Sequence, residues 1–117
     1  MSVARPLPAH LTPAERAAVV EFSESARRLL GAELLEARLF GSRARGDGDE
    51  DSDVDIALIV TAAGRARRYD VYDLAFDIQL RTGIDIAPSV IERARMEELR
   101  RRERLIATAI DQEGVPL

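Results

Sequence analysis

A chain of 117 residues fits one domain, long enough to bury roughly two thirds of its unfolded surface without disulfide or metal staples. It has no cysteine, which excludes disulfides, zinc–thiolate sites, iron–sulfur clusters and thiol catalysis; all 17 basic residues are arginine, which excludes a P-loop lysine and Schiff-base chemistry. With 21 acidic residues the net charge is −4, which argues against broad phosphate neutralisation, so no direct nucleic-acid partner is expected.

The opening "MSVARPLPAHLTPAERAAVV" lacks the apolar core of a signal peptide, and the longest apolar run, "IALIV" extended through "TAA", is too short to cross a bilayer. A cytoplasmic protein without membrane contact is expected. Residues 1–11 hold two prolines and no periodicity, which predicts a loose arm; His10 within it is given no catalytic role. A helix is predicted over "TPAERAAVVEFSESARRLLG", with Thr12 as N-cap, Pro13 at the first helical position, Glu15 closing a capping box and Gly31 as the stop. Ala18, Phe22, Ala26 and Leu29 form its apolar spacing.

"EARLFGS" reads as a short strand and "SDVDIALIV" as a buried one. Residues 65–81 predict a second helix ended by Gly83, with Val71, Leu74, Ala75 and Ile78 inward. On the same helix Tyr72, Phe76 and Leu80 line up beside that stripe, either as a broad core face or as an interface, and Asp70, Asp73 and Asp77 mark a solvated side. "GIDIAPSVI" is a third strand, which Pro88 places near a sheet edge or cuts short. A last helix, roughly 92–112, carries Met96, Leu99, Ile106 and Ile110 and stops at Gly114. The expected fold class is α/β (α+β), a small mixed sheet with helices packed on it.

Residues 47–55 crowd six carboxylates into nine positions. Asp47, Asp49, Glu50 and Asp51 read as a solvated turn, but Asp53 and Asp55 lie on a strand. There, period-two geometry puts both on one face with Cα atoms about 7 Å apart, while Val54, Ile56, Leu58 and Val60 point into the core. Two neighbouring carboxylates raise each other's pKa unless a cation intervenes, and a hard ion such as Mg²⁺ takes oxygen ligands while keeping positions open for phosphate. An EF-hand loop fails on spacing: counted from Asp47, the sixth position is Ser52 and the twelfth is Leu58. Upstream, Gly41 and Ser42 directly follow the strand "RLF", where backbone N–H groups and a hydroxyl can approach phosphate closely; Arg43 and Arg45 can add positive charge.

Glycine-serine, ten residues, then Asp-x-Asp at a strand start resembles the signature of the polymerase-β-type nucleotidyltransferase superfamily. The string "GSRARG…SDVDI" is similar to its minimal nucleotidyltransferase branch, which includes antitoxins paired with HEPN-domain toxins. "GIDIAPSVI" supplies the third acid of that pattern, Asp85, and "LIATAIDQEGVPL" resembles the family's ending. The resemblance runs from about residue 34 to the end and implies a polymerase-β-like fold; with the arm and first helix, residues 1–117 are expected to form one nucleotidyltransferase domain. It further implies ATP as substrate, two Mg²⁺ ions held by Asp53, Asp55 and Asp85, and β- and γ-phosphates held by Gly41 and Ser42 with help from Arg43. Asp85 would take or orient the acceptor's proton. The partner it implies is a HEPN-type toxin adenylylated on a hydroxyl, by resemblance a tyrosine. Enzymes of this superfamily usually carry a second domain over the nucleotide, so a partner protein or further copies of the chain are expected to complete an open site. Two other readings stand beside it: an antitoxin that silences its toxin by binding alone, and an adenylyltransferase of a small molecule such as an aminoglycoside.

Overall fold

A computed structural model describes residues 7–46 and 53–117, so residues 1–6 of the arm and the acids Asp47, Asp49, Glu50 and Asp51 lie outside the described residues. Helix α1 (Pro13–Leu30) begins as its sequence dictates. The Thr12 hydroxyl accepts from the Glu15 N–H at 3.1 Å, and Glu15 Oε1 accepts from the Thr12 N–H at 2.8 Å, closing the capping box. Beyond a single 3₁₀ turn, β1 (Leu34–Phe40) leads into the one-turn helix α2 (Ser42–Arg45) and, after the connecting residues, β2 (Val54–Val60). Helices α3 (Ala62–Ala66) and α4 (Arg68–Thr82) precede β3 (Ile86–Glu92). Then α5 (Arg93–Arg101), α6 (Leu105–Thr108), a wider turn over Ala109–Glu113 and β4 (Val115–Pro116) complete the order.

The sheet runs β3-β2-β1-β4, with β1 antiparallel to β2 and β4 and β2 parallel to β3. Val54, Ile56, Leu58 and Val60 turn to one face, where they meet Phe22, Ala26, Val71, Ala75 and Ile78 of α1 and α4. Ala57 and Ile59 turn to the other, under Met96 of α5, Ala107 of α6 and Ile110. Phe40, at the end of β1, is buried in the same cluster, while Asp53 is exposed and Asp55 half-buried. Pro88 sits on the edge strand, as expected. Since Val54 N–H donates to Asp85 O, alternation along β3 turns the position-88 nitrogen away from β2, where no ladder donor is required. Among the described residues no helix is long and apolar enough to cross a membrane.

Three expectations need correction. The residues 7–11 are packed: Leu11 is buried in the main core, Leu7 lies against it, and Arg16 Nη2 donates to Pro8 O at 2.6 Å. Burial here needs no periodicity, which is why the composition pointed to a loose arm. The helix expected over 65–81 starts earlier as α3, which Thr61 caps by accepting from the Gly64 N–H at 3.2 Å, and it is interrupted at Arg67. Gly64 lies within α3, where a Cβ would stand 2.9 Å from the Val60 side chain and 3.1 Å from Glu33 O, so the helix packs closely on the end of β2. The helix expected over 92–112 would run about 31 Å. Instead Glu103 adopts a φ of 50° and the chain folds back, with Arg100 paired to Asp111 at 2.8 Å, so that Ala107 and Ile110 return to the sheet.

Candidate active site

Strand register assembles the acids. Val54 pairs with Ile86 in the parallel ladder, and the Val54 N–H donates to Asp85 O at 2.9 Å. Asp53 and Asp85 therefore stand side by side, each one residue before its strand, at the roughly 4.8 Å spacing of neighbouring strands. Asp55 lies two residues on along β2, on the same face. Across the antiparallel ladder its partner is Phe40, the last residue of β1, so the Gly41–Ser42 turn begins where the acid pair lies.

The contact is tight. Gly41 has φ 76° and ψ −160°, a conformation essentially reserved for glycine, and a Cβ there would collide with Asp55 Oδ2 and come within 3.2 Å of its Cγ. The motif's two halves, ten residues apart in sequence, thus meet at Gly41 and Asp55. Ser42 opens α2 directly after this turn.

Electrostatics follow from that crowding. Burial first, and then the Asp53 charge, push the Asp55 carboxyl up from its ordinary range, while Arg45 pulls it back. Asp85 is also raised, by burial, by a hydrogen bond with the Asp53 side chain and by that residue's charge. Among the described residues no three acidic or imidazole side chains converge as a ready-made metal cage. The donor set nevertheless suits a hard divalent cation: three carboxylates, all oxygen, on one face, with charge repulsion that such an ion would remove.

Arg43, expected beside the phosphates, is placed otherwise. Its side chain is 6% exposed, and Nη2 donates to Glu15 Oε1 at 2.5 Å and Oε2 at 2.6 Å. Burial pushes the Glu15 carboxyl up, but bonds from Thr12 and Arg43 outweigh it and hold the group below its usual range. Arg45 is the exposed arginine of α2, paired with Glu113 at 3.0 Å. His10 was given no role; its Nε2 meets the Arg43 carbonyl oxygen. No sequence signal joins Glu15 or His10 to Arg43, since the contacts span 28 and 33 positions.

Fold and site define a small α/β domain of the nucleotidyltransferase class. The chain belongs to the nucleotidyltransferase domain family, whose model matches residues 19–110. No curated protein sequence matches it. Among solved structures, a toxin–antitoxin protein crystallised with AMP-PNP is similar at 22% identity and a TM-score of 0.50, over 81% of this chain and 68% of that one. Two others are a Sulfolobus solfataricus protein described as a nucleotidyltransferase (18% identity, TM-score 0.45, 92% and 88% coverage) and one described as a minimal nucleotidyltransferase (24%, 0.45, 94% and 100%). At these identities the likeness is one of fold.

Proposed function

We propose that this nucleotidyltransferase moves AMP from ATP to a hydroxyl of a partner toxin and thereby acts as its antitoxin, the partner being of HEPN type and the acceptor a tyrosine. The observation that carries the reading is the contact between Gly41 and Asp55, which sets a turn suited to phosphate against a pair of acids suited to a metal. Asp53 and Asp55 would hold two Mg²⁺ ions, with Asp85 completing the one nearer the acceptor. When bound, these supply neutralisation of the triphosphate and activation of the attacking oxygen. The Gly41 and Ser42 backbone and the Ser42 hydroxyl bind the β- and γ-phosphates. The acceptor oxygen attacks the α-phosphorus, the bond to the β-phosphate's bridging oxygen breaks, pyrophosphate leaves, and Asp85 receives or orients the acceptor's proton. Exposed Asp53 and Asp85 leave the acceptor side open to a large substrate such as a protein. The neighbour crystallised as a toxin–antitoxin with AMP-PNP supports this choice of nucleotide and partner.

A second reading is favoured by one observation. Tyr72, Phe76 and Leu80 on α4 are 38%, 58% and 70% exposed, with Tyr69 at 65%, so the stripe beside the core face is a surface that a toxin could cover without catalysis. Intact-mass spectrometry separates the two. The chain is incubated with the product of its neighbouring gene, ATP and Mg²⁺, beside an Asp55→Asn control. AMP-sized mass gains on the neighbour, absent in the control, are expected. A silenced but unmodified neighbour would refute the transferase reading and leave the binding one.

A further inference from the structure

Helix α2 cannot hold itself. Four residues with three internal hydrogen bonds (Ala44 and Arg45 N–H to Gly41 O, both at 3.1 Å, and Gly46 N–H to Ser42 O at 2.8 Å) fall far below the length at which a helix is stable alone. Its N-cap, Gly41, takes a conformation open to glycine, and because glycine loses the most backbone freedom on ordering, the turn depends on its surroundings to stay fixed. Those surroundings come from the residues before and at the start of α1. Glu15 grips the Arg43 guanidinium through both carboxylate oxygens, with both side chains no more than 7% exposed. The His10 ring meets the Arg43 carbonyl, and a Cβ on Gly46 would lie 3.2 Å from His10 Nδ1, so the ring also backs the end of α2. Glu15 is itself fixed by the capping box with Thr12. A buried ion pair seldom adds stability over a well-packed apolar pair, so specification of geometry is the more economical account of this one.

We propose that Glu15 and Arg43 are positioning residues of the nucleotide site: their ion pair holds α2, and with it the Gly41–Ser42 turn, in the conformation that receives the triphosphate. The proposal rests on the nucleotidyl-transfer reading above. It makes residues 8–15 part of the phosphate site without contact to the nucleotide, and it gives Arg43 a task different from direct phosphate binding.

The test is a Glu15→Gln/Arg43→Met pair variant, which keeps a capping acceptor for Thr12 and strands no buried charge, beside Arg43→Lys. Thermal melts, ¹⁵N order parameters over residues 42–46 and ATP titration with Mg²⁺ are read on each. In a folded pair variant the order parameters should fall from about 0.85 to below about 0.6. ATP affinity should weaken on the order of tenfold to a hundredfold, as expected for a displaced binding group, and Arg43→Lys should recover part of it. Unchanged order parameters, or ATP affinity within the error of the wild type, would overturn the proposal. Should the pair variant not fold, Glu15→Gln alone decides, with weakened ATP binding expected and unaltered binding overturning it. Failure of the wild-type chain itself to bind ATP would instead sink the nucleotidyl reading, while the order parameters would still decide whether the ion pair holds α2.

Discussion

Replacing Gly41 by alanine separates strain from chemistry. The backbone at φ 76° and ψ −160° costs a non-glycine residue about 1–3 kcal/mol. For a domain of this length that lowers Tm by roughly 3–15 °C, taking about 3–5 °C per kcal/mol. Gly83→Ala is the control: its φ of 77° is also left-handed, at about 1–2 kcal/mol, but a Cβ there meets nothing within 4 Å. Only at Gly41 must a neighbour retreat, and that neighbour is Asp55, whose carboxylate must move by roughly 1 Å to reach ordinary contact distance. Misplacement on that scale costs on the order of a hundredfold in rate. Melting curves and AMP-transfer rates are measured on both variants well below their Tm. Gly83→Ala should lose stability and keep its rate, whereas Gly41→Ala should lose both. Equal rates in the two variants would refute the idea that the turn and the acid pair work as one unit.

Asp55→Asn should abolish transfer and leave the metal-free chain as stable as the wild type or more so at neutral pH. The Asp55 carboxyl is raised in the folded state, so its ionisation opposes folding. The penalty is absent below the unfolded pKa, grows as pH rises towards the folded value and is complete above it. Melting of the metal-free variant below the wild type at pH 7.5 would show the carboxylate to be structural. On α4, Phe76→Ser and Leu80→Ser should each change stability by no more than about 0.5 kcal/mol, because both side chains are exposed, and together they should weaken toxin association in size-exclusion chromatography. An undiminished complex would return that stripe to solvent.

What was legible in the sequence is what depends on local rules. Thr12, Pro13 and Glu15 announce the start of α1 because capping is a contact between near neighbours. Asp53 and Asp55 fall on one face because period two is intrinsic to a strand, and Pro88 marks the edge because it lacks a donor. What was hidden depends on tertiary meetings. Arg43 looks like a phosphate ligand from its place beside Gly41 and Ser42, and only packing brings Glu15, 28 positions away, to take its guanidinium. Leu7 and Leu11 lie in a segment without regular structure, yet the core reaches them. The reversal at Glu103 comes from a run of charged residues with no breaker, which propensity alone reads as helix.

The ten-residue spacing within the motif has a similar explanation. Register fixes Phe40 opposite Asp55, so β1 must end and β2 begin at one place whatever lies between them. Loop-closure entropy changes by only about 0.6 kcal/mol for each doubling of length, so folding places little constraint on the number of intervening residues. A one-residue slip of β2 is another matter, since it would turn Asp53 and Asp55 into the core and Val54 and Ile56 out of it. The informative part of the signature is therefore its two ends. Gly41 has to be glycine because of Asp55, and Asp55 is held in place by the same ladder that ends β1 at Phe40. A chain that kept the spacing but lost either end would keep its fold and lose the contact on which the proposed chemistry rests.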